Sequence, residues 1–342
     1  MSGQHHTIME TSEAFIALGI FLLPSLTLTI PAGYSYAAVI LLLSTITHRF
    51  STPIMVNCRD DLPVAAMLII VSLTLYATFW IADAAIRGEG VRSFDRPIRF
   101  IVAAFCLSTI SRTKVNPGWF WMGLSCGGIG AGSLALWQWF VDDTLRVSGF
   151  APTNKFGLIA ITIGLMCLSG LIHTLDSSYR GKRRFLISSL LVAGSCLGLL
   201  AAILSGSRGA WIALIPSTLV YLIIMSRTIH AKKILSMLTL LGFLAIPLVY
   251  ILPTGNITNR LEDATSQLDA YIEGEFVDGT VSQRLEMWKG AAFLFAERPY
   301  IGWGEIGYSS KMQALEEDGI VQEGTAGYAH AHNDWFNVLA KK

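Results

Sequence analysis

Long apolar stretches separated by short polar loops fill residues 1–252. Several of them approach the ~20 residues that an α-helix needs to cross a bilayer. About nine spans can be drawn, at roughly residues 14–30, 32–47, 63–82, 98–110, 118–141, 156–175, 185–204, 209–225 and 234–252. A backbone inside lipid must satisfy its own hydrogen bonds, and the alternation of barrel strands is absent. The pattern therefore predicts an all-α integral membrane protein, a polytopic helical bundle.

A polar segment, residues 253–328, follows the last predicted span and is expected to hold short helices. It carries five basic and thirteen acidic residues, a formal charge of −8, so any anion site there has to be local. The stretch 329–342 is apolar up to its final lysines but too short to span. We expect it to be the start of a further transmembrane helix that the sequence truncates.

The distribution of Lys and Arg predicts the orientation in the membrane. Four loops of one parity hold eleven basic residues: Arg49, Arg59, Arg112, Lys114, Arg180, Lys182, Arg183, Arg184, Arg227, Lys232 and Lys233. These loops and the N-terminus are expected to be cytoplasmic, which places segment 253–328 outside. Fewer basic residues fall on the outer side or at its span edges: Arg87, Arg92, Arg96, Arg99, Arg146, Lys155 and Arg208. Basic residues on the outer side run against the general enrichment of Lys and Arg in cytoplasmic loops, and they therefore invite a functional explanation.

Composition narrows the class of protein further. Charged residues make up 14% of the chain, against about 25% in soluble domains, which excludes an ordinary soluble domain. A net charge of +1 gives no general attraction for nucleic acid, and none is expected as a partner. There is no D-x-D pair, G-x-S-x-G or P-loop, and segment 253–328 has no cysteine. We expect neither a metal nor a cofactor. Small residues in the fifth predicted span indicate close helix packing: Gly123, Gly127, Gly128 and Gly132.

The first candidate for chemistry is the turn Ser205–Trp211 between two predicted spans. Its glycine supplies backbone freedom, and Ser207 or Ser205 can cap the next helix. Arg208 adds a guanidinium fork that suits phosphate. The alternative is a plain hairpin whose arginine reaches lipid headgroups.

The second candidate is Thr280–Trp288, where Thr280 and Gln283 have capping-box spacing. Arg284 falls in the first turn of the predicted helix, where a cation is unfavourable unless an anion binds it. The alternative is pairing with a local acid, Glu286 or Asp278. One apolar face is expected to lie on the membrane domain: Leu285, Trp288, Ala292 and Phe295.

The third candidate is His330–Trp335, at the predicted return to the membrane. Histidines two apart do not share a helix face, which disfavours a two-histidine metal site. A neutral imidazole is a good general base, and Asn333 or Asp334 could orient it. The alternative is a pair of interface histidines without a chemical role.

Together these segments resemble the O-antigen ligase family, the superfamily of O-antigen ligases, O-antigen polymerases and bacterial O-oligosaccharyltransferases. The resemblance rests on SGSRGAW between two spans, on RLEMWKGAAFLFAERPYIGWG in the outer segment, and on His332-Asn333 at re-entry. SFDRPIRF at 93–100 also looks like a ligase-type outer loop. The family pattern continues with paired glycines and further spans, so the resemblance implies a truncated chain.

The resemblance implies a bundle with one large periplasmic loop in the inner membrane of a Gram-negative cell. The implied reaction belongs to lipopolysaccharide biosynthesis. It moves a glycan from undecaprenyl diphosphate to a sugar hydroxyl of lipid A-core, without metal and with inversion. The family's functional residues fall on Arg208, Arg284 and His332. Substrate-binding roles are expected for Arg87, Arg92, Arg96, Arg99, Ser207 and His330, and apolar grooves would take the prenyl chain.

Two alternatives stay open at this point. An O-antigen polymerase or a protein O-oligosaccharyltransferase would use similar residues with a different acceptor. A lipid or polysaccharide transporter would place ionisable groups near mid-membrane. The predicted span interiors are almost free of charge, and the notable polar groups gather on one face. That pattern favours interfacial chemistry on a lipid-linked substrate.

Overall fold

The structure, a computed structural model, describes residues 2–51, 62–144, 146–177, 179–225, 257–274 and 280–341. These residues form helices and connecting loops without any strand, which confirms the all-α prediction. The apolar part holds α1 Ser2–Leu26, α2 Gly33–Ser51, α3 Val64–Ile86, α4 Asp95–Ile110, α5 Gly118–Phe140, α6 Thr153–Asp176, α7 Gly181–Leu204 and α8 Arg208–Met225. The polar part holds α9 Ile257–Ile272, α10 Thr280–Glu297, α11 Gly304–Glu317 and α12 Asp334–Lys341. Two 3-10 turns, Val91–Phe94 and Thr325–Gly327, complete the described elements.

Eight of the nine predicted spans coincide with helices α1 to α8, and the ninth, 234–252, lies outside the described residues. Within the described residues, α3, α6 and α7 are long and apolar enough to cross a membrane. Shorter apolar helical stretches run over Thr11–Leu26 and Gly209–Tyr221. The chain is therefore an all-α membrane protein, whereas the number of spans stays a prediction.

The described helices form two compact units, and each is considered by itself. The first unit comprises residues 1–67 and 105–254, and the second comprises 68–104 and 255–342.

Glycines let the helices of the first unit approach at backbone distance. A Cβ on Gly128 of α5 would lie 2.2 Å from the carbonyl oxygen of Gly194 of α7. A Cβ on Gly127 would lie 2.2 Å from the carbonyl oxygen of Pro24 of α1. Lipid is as apolar as the side chains, so helices associate in it through such close packing. The expected small-residue packing of the fifth span is confirmed.

The core of the first unit lies between α5, α6 and α7. Its largest fully buried side chains include Phe156, Leu168, Leu191 and Leu204. Leu204 is the last residue of α7, so the turn that follows it starts from a packed and fixed position.

The second unit is built around α10. Met287, Ala291 and Leu294 recur at helical spacing and are buried, in one cluster with Tyr308 and Met312 of α11. Of the residues expected on the apolar face, Leu285, Trp288 and Phe295 are half-buried and Ala292 is exposed, and the contact of that face with the membrane domain stays a prediction. Residues 285–295 contain apolar side chains on nearly every side, so periodicity alone does not select the buried face.

The last described residues close this unit. Lys341 is buried, and its Nζ lies 2.6 Å from Glu305 Oε2 and donates to the carbonyl of Ala329 at 2.8 Å. The backbone N–H of Trp303 donates to the carbonyl of Ala340 at 2.9 Å. Residues 329–341 therefore contain a short helix that packs within the second unit.

Candidate functional site

The turn between α7 and α8 is held by its own serines. Gly206 has φ +59°, a left-handed conformation that glycine adopts without strain. The Ser207 hydroxyl accepts the backbone N–H of Ala210 at 3.3 Å, which caps α8. The Ser205 hydroxyl accepts the N–H of Ser207 at 3.3 Å. Of the two serines proposed as caps, Ser207 takes that position.

The Ser207 hydroxyl is also used as a donor. It donates to Asn154 Oδ1 of α6 at 2.8 Å, and the side chain is fully buried. Ser207 therefore shapes the turn and fixes it to α6. Arg208 begins α8, whereas its side chain lies outside the described part of the structure.

A second arginine lies against this turn. A Cβ on Gly206 would lie 3.5 Å from Cγ and 3.8 Å from Nε of Arg146, so that side chain lies along the glycine. The next residue, Val147, is fully buried, and its N–H donates to the carbonyl of Leu204 at 3.3 Å. Arg146 is exposed, and no described carboxylate forms an ion pair with it. Sequence reasoning missed it as a site residue, although its place on the predicted outer side was a signal.

In the second unit, the loop that carries the histidines is bonded to α10 and α12. The indole N–H of Trp288 donates to the carbonyl of Ala331 at 2.9 Å. The backbone N–H of Ala331 donates to Asn337 Oδ1 at 2.9 Å. The Tyr328 hydroxyl donates to Gln283 Oε1 at 3.1 Å. These three partners of the loop were not predicted.

His332 has an unusual backbone and a crowded ring. Its φ of +49° is left-handed, which for a residue other than glycine costs on the order of 1–3 kcal/mol. Its ring centroid lies 4.0 Å from that of His330 and 5.9 Å from that of Tyr328. Such strain persists only where the surrounding contacts fix it, and the bonds at Ala331 and Tyr328 do so.

Partial burial, His330 and the Arg284 guanidinium together lower the pKa of His332 below its usual value. Desolvation and nearby positive charge both disfavour the imidazolium form. Both effects favour the neutral imidazole, which is the form that a general base requires. The charge of Arg284 therefore contributes to the electrostatic environment of His332.

Arg284 has no acidic partner among the described residues. Glu286, one of its proposed partners, accepts the Tyr271 hydroxyl at 2.6 Å and the Gln322 N–H at 2.9 Å, and it lies 3.5 Å from Lys289 Nζ. Asp278, the other, lies outside the described residues. Arg284 is exposed in the first turns of α10, and among the described residues no carboxylate competes with an anion for it.

Asn333 has a local role. Its side-chain oxygen accepts the N–H of Trp335 at 3.0 Å at the start of α12. Asn333 therefore caps that helix, whereas the loop around His332 is held by Trp288 and Asn337.

The four arginines of residues 87–99 differ in their contacts. Arg87 pairs with Asp83 at 2.7 Å and donates to the carbonyls of Ile301 and Gly302. Arg99 pairs with Asp95 at 2.5 Å on the surface. Arg92 and Arg96 are exposed and have no described acidic partner, so these two are open to an anion. The described residues hold no cluster of three or more His, Cys, Asp or Glu side chains placed to bind a metal ion.

Comparison with known proteins adds two findings. Residues 193–341 match the family model described as O-Antigen ligase. This range includes Arg208, Arg284 and His332, and it confirms the resemblance seen in the sequence. The chain is also 23% identical over 317 residues to an uncharacterized protein of Haemophilus influenzae (strain ATCC 51907 / DSM 11121 / KW20 / Rd). That similarity covers 92% of this chain and 76% of the relative.

Proposed function

We propose that this chain, whose residues 193–341 match the O-Antigen ligase family model, transfers a glycan from undecaprenyl diphosphate to a sugar hydroxyl of lipid A-core. The family supports a glycosyltransferase-like enzyme of the O-antigen pathway, and the donor and acceptor are the proposal. The observation that carries it is His332, whose pKa is lowered in part by the charge of Arg284, a residue with no acidic partner among the described residues; both lie inside the matched region.

In the proposed reaction, His332 accepts the proton of the acceptor hydroxyl as the hydroxyl oxygen attacks the anomeric carbon. The bond from that carbon to the diphosphate oxygen breaks, and the carbon inverts in this single displacement. Arg284 binds the diphosphate and stabilises the charge that grows on the leaving oxygen, and the same role is proposed for Arg208 from the sequence pattern. Removing one such donor typically costs about 3–4 kcal/mol of barrier, which is on the order of 10²–10³ in rate.

In the same proposal, Arg146 helps to bind the lipid-linked glycan donor. Its guanidinium lies along Gly206, two residues before Arg208, and it has no described acidic partner. A diphosphate carries several charged oxygens, so a second guanidinium at this turn adds charge-assisted hydrogen bonds. The distribution of basic loops supports a cytoplasmic N-terminus and a reaction at the periplasmic face of the inner membrane.

The test is the substitution of His332→Ala or Arg284→Ala in cells that depend on this protein for O-antigen. Both variants are expected to lose smooth lipopolysaccharide and to accumulate lipid-linked glycan. Matched controls are His173→Ala, an exposed histidine of α6, and Arg298→Ala, whose guanidinium stacks on Trp303 at 3.9 Å. Smooth lipopolysaccharide at the normal level in either test variant would refute the proposal.

A strain from which this protein has been deleted distinguishes the three possible classes of acceptor. Loss of all O-antigen with lipid-linked chains retained supports the ligase. Lipopolysaccharide that carries a single repeat supports a polymerase, and unchanged lipopolysaccharide with unglycosylated protein supports an oligosaccharyltransferase.

A further inference from the structure

We propose that Trp288 is a positioning residue for the proposed base, because its indole N–H fixes the Ala331 carbonyl and so holds the backbone of His332 in its left-handed conformation. The inference rests on the proposed role of His332. It assigns a specific task to the tryptophan one helical turn after Arg284.

The contact acts on one peptide plane. The Ala331 carbonyl that accepts the Trp288 N–H, at 2.9 Å, belongs to the peptide group whose nitrogen is that of His332. Rotation about the next bond is the φ of His332, which is +49°. Fixing this plane therefore limits the directions in which the imidazole can point.

The surroundings make this contact rigid. Ala331 is fully buried, and its own N–H is held by Asn337 at 2.9 Å. The Trp288 ring stacks on Phe336 with centroids 5.4 Å apart and planes within 11°. The indole thus has a fixed orientation, and its bond to the loop lies in a partly buried place where water competes poorly.

A second tether starts from the same helix. Gln283, which precedes Arg284, accepts the Tyr328 hydroxyl at 3.1 Å. Helix α10 therefore holds the loop at both of its ends, from positions on either side of Arg284. Because one helix carries the guanidinium and both tethers, the distance between Arg284 and His332 is set by α10.

Several charged or titratable groups lie around His332, and their charges affect the titration of its imidazole. His330 and Tyr328 come from the same loop, and Arg284 comes from α10. Helix α12 contributes Asp334 at its first residue. Of these groups, His330 and Arg284 lower the pKa of His332, together with partial burial.

The experiment compares Trp288→Phe with Trp303→Phe in the full chain, embedded in lipid nanodiscs. Trp303 is a matched control, since its indole N–H also donates to a backbone carbonyl, that of Leu294, at 2.9 Å. Carbon-13-labelled histidines report the pKa of His332 by NMR, and His332→Gln identifies its signal. Phenylalanine retains an aromatic ring to stack on Phe336 while removing the donor.

In Trp288→Phe the loop is released, so the pKa of His332 is expected to rise towards the ordinary value of about 6.5. The kcat is expected to fall by about 10-fold to 100-fold, because a misplaced base costs rate. The KM for the lipid-linked donor is expected to stay within about two-fold, since Trp288 makes no proposed contact with it. Trp303→Phe is expected to leave all three values unchanged.

An unchanged pKa and kcat in folded Trp288→Phe overturns the inference. If that variant does not fold, 3-benzothienylalanine at position 288 keeps the shape of the indole and replaces its N–H by sulfur, and the same two readouts decide. Full transfer by His332→Gln refutes the proposed function instead, whereas the NMR titration still reports whether Trp288 positions the loop.

Discussion

An imidazole accepts a proton only while it is unprotonated, and the surroundings of His332 favour that form. Partial burial, His330 and Arg284 all lower its pKa. The positive charge of Arg284 therefore has two uses in the proposed reaction, since it binds the anionic donor and keeps the base neutral. A base with a lowered pKa works at lower pH than an ordinary histidine.

A pH titration tests this coupling. Because the neutral imidazole is the active form, transfer is lost as the pH falls through the lowered pKa of His332 and is retained above it. Arg284→Gln removes one of the positive charges, so the pKa should rise and the acidic limb of kcat/KM should move to higher pH. Lys289→Gln, on the same helix, is the control, because Lys289 pairs with Glu286. A limb that stays in place or moves to lower pH in Arg284→Gln contradicts the coupling.

At the scale of elements, the crossing of α5 and α7 fixes the position of the turn Ser205–Trp211, which is proposed to bind phosphate. Gly128 and Gly194 let the two backbones touch, and α7 continues directly into Ser205 and Gly206. Any side chain at the crossing would push α7 outward and move the turn with it, since packed helices have no free space to absorb an added atom.

Gly128→Ala is therefore expected to destabilise the first unit by about 1–3 kcal/mol, because its Cβ would overlap a carbonyl oxygen. Thermal unfolding in detergent, followed by tryptophan fluorescence, measures this effect. Gly307→Ala in α11 is the control, since its Cβ would meet nothing closer than 3.4 Å. Equal melting temperatures for the two variants would show that the crossing tolerates a methyl group.

At the scale of the whole molecule, residues with proposed roles occur in both units, and each unit is considered by itself. The turn, Arg146 and Arg208 belong to the first unit, and Arg284 with His332 belong to the second. On the proposed mechanism, loss of Arg146 weakens donor binding, and loss of the base lowers the rate of transfer.

Arg146→Gln tests that division. Loss of one charge-assisted contact of about 1.5–3 kcal/mol should raise the KM for the lipid-linked donor at least ten-fold, with a small effect on the KM for the acceptor. Arg183→Gln is the control in the same unit, because Arg183 lies over the Tyr179 ring at 4.8 Å and has no proposed contact with substrate. A raised acceptor KM with an unchanged donor KM would assign Arg146 to the other substrate.

The sequence predicted what depends on composition or on neighbouring residues. The places of eight helices followed from apolar length, and the Ser207 cap followed from a bond between residues three apart. It did not predict the bond from Trp288 to Ala331, which joins residues 43 apart, or the place of Arg146 along Gly206. A single sequence does not show which residues far apart in the chain come into contact. Periodicity also did not select the buried side of α10, because apolar side chains lie on nearly every side of that helix.

The bond from Lys341 to the Ala329 carbonyl and the bond from Asn337 to the Ala331 N–H both start from α12. The conformation of the histidine loop is therefore linked to the folding of this short helix. Local unwinding of α12 would release both contacts, and amide hydrogen exchange at Ala331 would report that opening.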